Sequence, residues 1–325
     1  MPANLTPVYE KAEQRYKAAA TDDEKLDALR EMFATIPKHK GTEKLQAEIK
    51  RKISRIRKAV SRAPQKAQDL FHIPRAGAGQ VVLVGTPNVG KSAIVQKTTG
   101  AHVKVTEFPF ATTVPVPGMC HFEQVQIELV DTPPVTADHI PSGLLGTIRA
   151  ADIVAIVVDA TAEALDEAEA ALGVLRGRDL ILRTVPISEL DPSDPADHCA
   201  MLVVNKLDIG EAGVVETLRE LYGPELEVFG VSAQTGEGME KWIARIWELL
   251  ASIRVFTKEP GEPAEMTKPY TLPIGSTVED LAHEIHRDLP AKMKFARVWG
   301  EGRHSGMQVH RTEELKDRDV VEIHE

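Results

Sequence analysis

No apolar run in this chain approaches the roughly 18 residues that a membrane-spanning helix needs. Met1-Pro2-Ala3-Asn4 opens no secretory signal pattern, so no membrane partner is expected. Cysteine is scarce: Cys120 and Cys199 stand far apart, in no metal-binding spacing. They read as reduced thiols of a cytosolic protein, which sets the expected location as cytoplasmic. His283, His286, His304, His310 and His324 are scattered without metal spacing and read as surface residues. No internal repeat is visible, and 325 residues leave room for two or three domains.

A net charge of −10 would argue against nucleic acid if it were spread evenly. It is not. Between Lys38 and Lys66 stand eleven Lys or Arg against Glu43 and Glu48, a local charge of +9 that leaves −19 on the rest. One basic element on an acidic body suits contact with a polyanion. Residues 5–36 read as two helices. Thr21-Asp22-Asp23-Glu24 supplies a capping box for Leu26, Leu29, Met32, Phe33 and Ile36 at helical spacing, and Pro37 ends the pattern. A third helix starts near Thr42, with an apolar stripe of Leu45, Ile49, Ile53, Ile56 and Val60. Lys50, Arg51, Lys52, Arg55, Arg57 and Lys58 crowd its other faces. This basic arm suits RNA contact, and it equally suits a solvated face packed on the next domain. The N-terminal helical region is expected to span residues 1–76.

From Val81 to Ala251 the pattern alternates strand and helix, as in a doubly wound, mostly parallel α/β sheet. Strands are expected at Val81–Val84, His121–Gln124, Val125–Val130, Ile153–Val158, Met201–Val204 and Val228–Val231. Helices are expected at Lys91–Thr99, Ala162–Leu175, Gly213–Tyr222 and Met239–Leu250. Arg176–His198, rich in proline and aspartate, reads as a surface loop or small excursion. Residues 77–251 make one domain, and residues 252–325 make another. In the latter, Ile253–Thr257, Phe295–Trp299 and Asp319–Ile323 read as strands. Ser276-Thr277-Val278-Glu279 reads as a capping box before a helix carrying Leu281, Ala282 and Ile285. Strands around one helix predict a small α+β domain of the β-grasp kind.

The middle domain carries the chemistry. Gly85-Thr86-Pro87-Asn88-Val89-Gly90-Lys91-Ser92 is G-x-x-x-x-G-K-S between an expected strand and an expected helix, the context of a phosphate-binding loop. Its backbone from Pro87 to Ala93 would close N–H groups around phosphates at a helix N-terminus. Lys91 would reach the β- and γ-phosphates, and Ser92 would take one Mg²⁺ position. Asn205-Lys206-Leu207-Asp208, at a strand end, selects the base. A carboxylate at Asp208 accepts two hydrogen bonds from guanine N1–H and N2–H₂, and adenine offers no such pair. The stem of Lys206 can cover the ring. Ser232-Ala233-Gln234 matches a loop whose backbone N–H meets the guanine carbonyl oxygen. Asp131, ending a strand, suits a carboxylate holding a Mg²⁺-bound water, or a simple turn aspartate. Thr112 or, by preference, Thr113 would close on Mg²⁺ and the γ-phosphate.

These residues resemble the TRAFAC-class GTPases and, more narrowly, the Obg/DRG branch. Phe108-Pro109-Phe110-Ala111-Thr112-Thr113-Val114-Pro115-Val116-Pro117-Gly118 resembles the threonine-bearing switch of that branch. Lys38-His39-Lys40-Gly41-Thr42-Glu43-Lys44-Leu45 is similar to its helical region ahead of the GTPase domain. Leu272-Pro273, Thr277-Val278-Glu279-Asp280 and Val298-Trp299-Gly300 resemble its TGS domain. The resemblance implies a GTP/GDP switch with slow, Mg²⁺-dependent and K⁺-stimulated hydrolysis. It also implies work with ribosomes or structured RNA and a regulatory protein partner. It implies catalytic roles for Lys91, Thr113 and Asn88, the last as ligand of a monovalent cation, although Asn88 also suits plain loop stabilisation.

Two departures stand out. Asp131-Thr132-Pro133-Pro134 replaces D-x-x-G, and Pro134 has no N–H to offer a γ-phosphate. Val135 and Thr136 follow where a glutamine could orient water. Arg149 is a conceivable charge donor, though it reads better as a helix-surface residue. The interval Asp159–Cys199 is also too short for the inserted domain of archaeal and eukaryotic DRG proteins. A second expectation therefore stands beside the first: a low-turnover GTP/GDP or alarmone sensor that binds protein partners.

Overall fold

The apolar run Gln80–Val84 forms strand β1, buried at every position. This is seen in a computed structural model that describes residues 29, 32, 33, 35, 49–52, 70–100, 114–136, 140, 141, 143–302 and 306–325. After β1 come helix α1 (Lys91–Thr99), β2 (Val116–Phe122), β3 (Val125–Asp131), α2 (Leu144–Ala150), β4 (Ile153–Asp159) and α3 (Ala164–Arg176). Then follow β5 (Ile181–Arg183), β6 (Asp197–Asn205), α4 (Val214–Tyr222), β7 (Val228–Gly230) and α5 (Met239–Leu249). The sheet order is β2-β3-β1-β4-β6-β5, with β7 also on β6. All described pairings in it are parallel except β2 with β3.

Alternation along the central strands explains the two layers of helices. Val82 and Val84 of β1, with Val154, Ile156 and Val158 of β4, share one core with Leu144, Ile148, Leu172 and Leu218 from α2, α3 and α4. Val81 and Leu83, with Ile153, Ala155 and Val157, share the other with Ile94 and Val95 of α1 and Trp242 and Ile246 of α5. A parallel sheet covered on both faces needs such continuous apolar strands.

Three expectations are corrected. The strand His121–Gln124 is instead the end of β2, which begins at Val116, and Glu123-Gln124 form a turn with Glu123 at φ 49°. Pro117 is tolerated because β2 lies at the sheet edge, where a missing N–H need not break a ladder. Within the expected loop Arg176–His198, β5 pairs with Asp197–Cys199, and Arg183 bridges Asp197 at 2.5 Å. A three-residue strand is too short to show a period. The third correction lies in the C-terminal domain.

That domain contains β8 (Ser252–Thr257), β9 (Tyr270–Pro273), α6 (Val278–Ile285), α7 (Leu289–Lys292), β10 (Phe295–Trp299), β11 (Met307–Val309) and β12 (Asp319–His324). Its sheet order is β11-β10-β12-β8-β9, with β12 and β8 parallel. Val278, Leu281 and Ala282 of α6 pack on Val255, Ala296, Val298 and Val321, giving the α+β arrangement expected. The capping box sits one residue later than expected. Thr277 is the N-cap: its N–H donates to Asp280 Oδ2 at 2.7 Å, and its hydroxyl accepts from Asp280 N–H at 3.4 Å. The carbonyls of Glu313 and Arg311 take the N–H groups of Val278 and Glu279, so a distant loop sets where the helix begins.

Met1–Leu70 and Phe71–Glu325 form separate units. In the first, Leu29, Met32, Phe33, Thr35 and Ile49–Lys52 are helical. Leu29, Met32 and Ile49 are buried, Lys50, Arg51 and Lys52 are exposed, and Lys50 Nζ lies 5.2 Å from the Phe33 ring centre. The capping box at Thr21, the stop at Pro37, the start at Thr42 and the rest of the basic arm lie outside the described residues.

Candidate functional site

The loop between β1 and α1 opens at the carboxyl edge of the parallel strands. Gly85 is required there, since a Cβ would lie 2.2 Å from the Val157 carbonyl oxygen. Gly90 takes φ 93°, and a Cβ on it would lie 2.2 Å from Asn205 Nδ2. Asn88 is also left-handed, at φ 65°, with an exposed side chain at the lip of the loop. Such strained non-glycine positions gather at functional sites. Pro87 is half-exposed, Val89 is buried, and Ala93 lies half-buried in the first turn of α1.

Lys91 is 6% exposed, and its Nζ donates to the carbonyls of Gly85 and Thr86, both at 2.9 Å. Burial pushes its ammonium down to about 8, against the opposing charges of Asp131 and Glu167. The Ser92 hydroxyl donates to Asp131 Oδ2 at 2.6 Å. A hydroxyl and a carboxylate converging beside the loop form the hard oxygen set that Mg²⁺ accepts, so these two residues fit that ion. Thr112 and Thr113 lie outside the described residues.

After Asp131 the chain is fastened to the same loop. Thr132 Oγ1 donates to the Leu83 carbonyl at 2.5 Å, and Val135 N–H donates to the Gly85 carbonyl at 3.1 Å. Pro133 and Pro134 between them are buried. The amide that follows Pro134 is therefore engaged with the loop between β1 and α1.

The second cluster stands at the ends of β6 and β7. Asn205 joins it to the loop: its Nδ2 donates to the Val89 carbonyl at 2.9 Å, and its Oδ1 accepts Ala233 N–H at 3.0 Å. Lys206, at φ 65°, reaches Asp159 Oδ2 at 2.9 Å. Asp208 Oδ1 accepts the Ser232 hydroxyl at 2.5 Å, and the Gln234 carbonyl accepts Lys97 Nζ at 3.3 Å. Sequence reasoning missed Asp159 and Glu167. Asp159 has the signal that marked Asp131, an acid ending a buried strand; Glu167 has no local signal. Arg149 is where a surface helix would put it. It lies in the last turn of α2, near the amino edge of β4 and on the opposite edge from the loop, and donates to the Arg178 carbonyl at 3.0 Å.

Residues 80–184 match the family described as 50S ribosome-binding GTPase, and residues 253–325 match the TGS domain. Developmentally-regulated G-protein 1 of Arabidopsis thaliana is 25% identical over 364 residues, covering 92% of this chain and 90% of its own length. Developmentally-regulated G-protein 3 of the same plant is 27% identical over 365 residues, covering 92% and 98%. Ribosome-interacting GTPase 1 of Saccharomyces cerevisiae is 24% identical over 366 residues, covering 94% and 99%. These alignments are longer than the 325 residues of this chain, so each relative carries segments with no counterpart here.

Proposed function

We propose that this chain, whose residues 80–184 and 253–325 match a ribosome-binding GTPase and a TGS domain, is a GTPase similar to the developmentally-regulated G-proteins: a slow, Mg²⁺-dependent and K⁺-stimulated GTP/GDP switch that meets a ribosomal particle or structured RNA. In this reading residues 1–76 are the helical region, 77–251 the GTPase domain and 252–325 the TGS domain. The observation that carries the nucleotide site is Asn205, whose amide ties the Val89 carbonyl to Ala233 N–H and so holds the phosphate end and the base end in one pocket.

Backbone N–H groups from Asn88 to Ala93 bind the phosphates, with Pro87 shaping the start of the loop and Lys91 supplying charge. Ser92 and, through water, Asp131 would hold Mg²⁺, with Thr113 as a further ligand. When bound, the ion neutralises developing charge on the transferred phosphoryl group. Asn88, exposed at the lip, fits a K⁺ ligand through its side-chain oxygen. Asp208 selects guanine, Lys206 covers the ring, and the Ser232–Gln234 loop faces the guanine carbonyl. Hydrolysis is slow because Pro134 lacks an N–H and no glutamine follows. The test is turnover with GTP against ATP in K⁺ and in Na⁺. Lys91→Ala should abolish it, and persistence of GTP turnover in that variant overturns the assignment.

RNA contact has two supports. Lys50, Arg51 and Lys52 are exposed. In the TGS domain a cavity of about 420 Å³ is lined by Lys294, Phe295, Gln308, His310 and Arg311, a cationic and aromatic set suited to phosphates and unpaired bases. Co-sedimentation with ribosomes in GTP and in GDP tests it. Reversing Lys50, Arg51 and Arg55 to glutamate should abolish pelleting and its steep salt dependence; unchanged pelleting counts against the arm. The sensor reading is favoured by one observation, the Val135 amide held on the Gly85 carbonyl at 3.1 Å behind Pro134. Single-turnover assays separate the two, since a sensor hydrolyses no GTP with or without ribosomes.

A further inference from the structure

Glu167 belongs to none of the nucleotide motifs, yet it touches two parts of the pocket. It sits in the first turn of α3. Its Oε1 accepts the Thr86 hydroxyl at 3.1 Å. Its Oε2 accepts the Asp159 N–H at 2.9 Å. Thr86 is the second residue of the phosphate loop. Asp159 ends β4, and its own carboxylate holds Lys206 Nζ at 2.9 Å through Oδ2. Asp159 Oδ1 is steadied in turn by the Thr161 N–H at 3.2 Å and by the Thr161 hydroxyl. A continuous path Thr86–Glu167–Asp159–Lys206 thus joins the phosphate loop to the side chain that covers the base. It runs beside the Asn205 link and shares no side chain with it.

The charge of Glu167 makes this arrangement informative. A half-buried carboxylate near a triphosphate site repels the ligand, so its presence there does not serve attraction. Its two oxygens are both used as acceptors, one for each end of the pocket. We infer that Glu167 is a positioning residue for the nucleotide: it fixes the Thr86 arm of the loop relative to β4 and, through Asp159, keeps the Lys206 stem in place over the base. This rests on the nucleotide-site reading above. The bland alternative is a first-turn acid complementing the helix dipole. Asp166 is the internal control, because it lies in the same turn, is acidic and is exposed.

The experiment compares the full chain with E167A, E167Q, T86V, E167A/T86V and D166A. It reads GTP and GDP affinity by calorimetry, KM and kcat for hydrolysis, and Tm. E167A should weaken both nucleotides by about tenfold, the loss expected for hydrogen bonds to a charged group. KM should rise by the same factor while kcat moves far less, because a poorly ordered pocket weakens ground and transition states alike. E167Q should restore most of the affinity, since a glutamine can accept from Asp159 N–H through Oε1 and donate to Thr86 Oγ1 through Nε2. The double variant should be no worse than E167A, and D166A should match the unmodified chain. Guanine over adenine preference should survive in all five, because Asp208 is untouched. Equal losses of Tm in E167A and D166A with affinity unchanged would overturn the inference, as would a failure of E167Q to rescue or additive losses in the double variant. An unmodified chain that binds no guanine nucleotide would instead sink the underlying site.

Discussion

The guanidinium of Arg254 lies 5.2 Å from the ring centre of Trp247. Arg254 is on β8, among the residues that match the TGS domain, and Trp247 is on α5, which packs on the parallel sheet. The same guanidinium pairs with Asp317 at 2.6 Å and with Glu123, the turn residue between β2 and β3. Arg318 also reaches Glu123, at 2.7 Å. The hairpin that Glu123 caps runs from Val116 to Asp131. The C-terminal sheet is therefore joined to the parallel-sheet domain at the hairpin that ends in Asp131.

Arg254→Met keeps the apolar stem over Trp247 and removes the charge. Asp317 and Glu123 keep 38% and 41% of their side chains exposed, so water can reclaim them. The expected loss is about 1–3 kcal/mol, below that of a fully buried pair, read from the denaturant midpoint. The loss should depend on pH. For Asp317, burial raises the pKa, but the Arg254 hydrogen bonds and charge outweigh it and hold the carboxyl below its usual range. For Glu123, hydrogen bonds from Arg254 and then Arg318 lower it. A carboxylate with a depressed folded pKa contributes stability that is full above its unfolded value, about 4, and is lost as pH falls through the folded one. The difference between Arg254→Met and the unmodified chain should accordingly shrink below about pH 4. A difference that does not change with pH would contradict this junction.

Asp208→Asn should exchange guanine for xanthine. The asparagine presents a donor where guanine also presents donors, whereas xanthine offers a carbonyl at that edge. GTP affinity should fall by about tenfold to a hundredfold, the range for a lost charge-assisted contact, and XTP affinity should rise. Calorimetry with both nucleotides decides, and retained GTP preference would remove Asp208 from the base site.

Pro134→Gly restores an N–H at the position where the related switch offers one. If the missing donor limits turnover, the single-turnover rate should rise by about tenfold or more, the scale of one preorganised donor. An unchanged rate would mean that the amide plays no part, or that Val135 on Gly85 holds the segment away from the phosphate.

Cys120 and Cys199 should be chemically silent in the native state. Burial pushes the Cys120 thiol up to about 11 and the Cys199 thiol up to about 12. Thiolate is then scarce at pH 8, and both side chains are within a core. A colorimetric disulfide reagent should report no thiol in native protein and two after denaturation. Rapid native labelling would place one of them at the surface.

Residue pattern alone determined much of the parallel-sheet domain. β1 and β4 are buried strands with apolar runs Val81–Val84 and Ile153–Val158, α1 runs from Lys91 to Thr99 as its flanks require, and Asn205 to Asp208 stand at a strand end. Each is a local signal, a period or a turn within a few residues, and local signals survive in a linear text. The tertiary structure decided what local signals cannot carry. β2 begins at Val116 because an edge position tolerates Pro117, and α6 starts at Val278, behind its cap Thr277, because a loop some 35 residues away supplies carbonyls to its first turn. Glu167 meets Thr86 across 81 residues of chain, and Arg254 meets Glu123 across 131. Contacts at such separations arise only when packed elements bring the groups together, so they leave no mark in any window of the sequence.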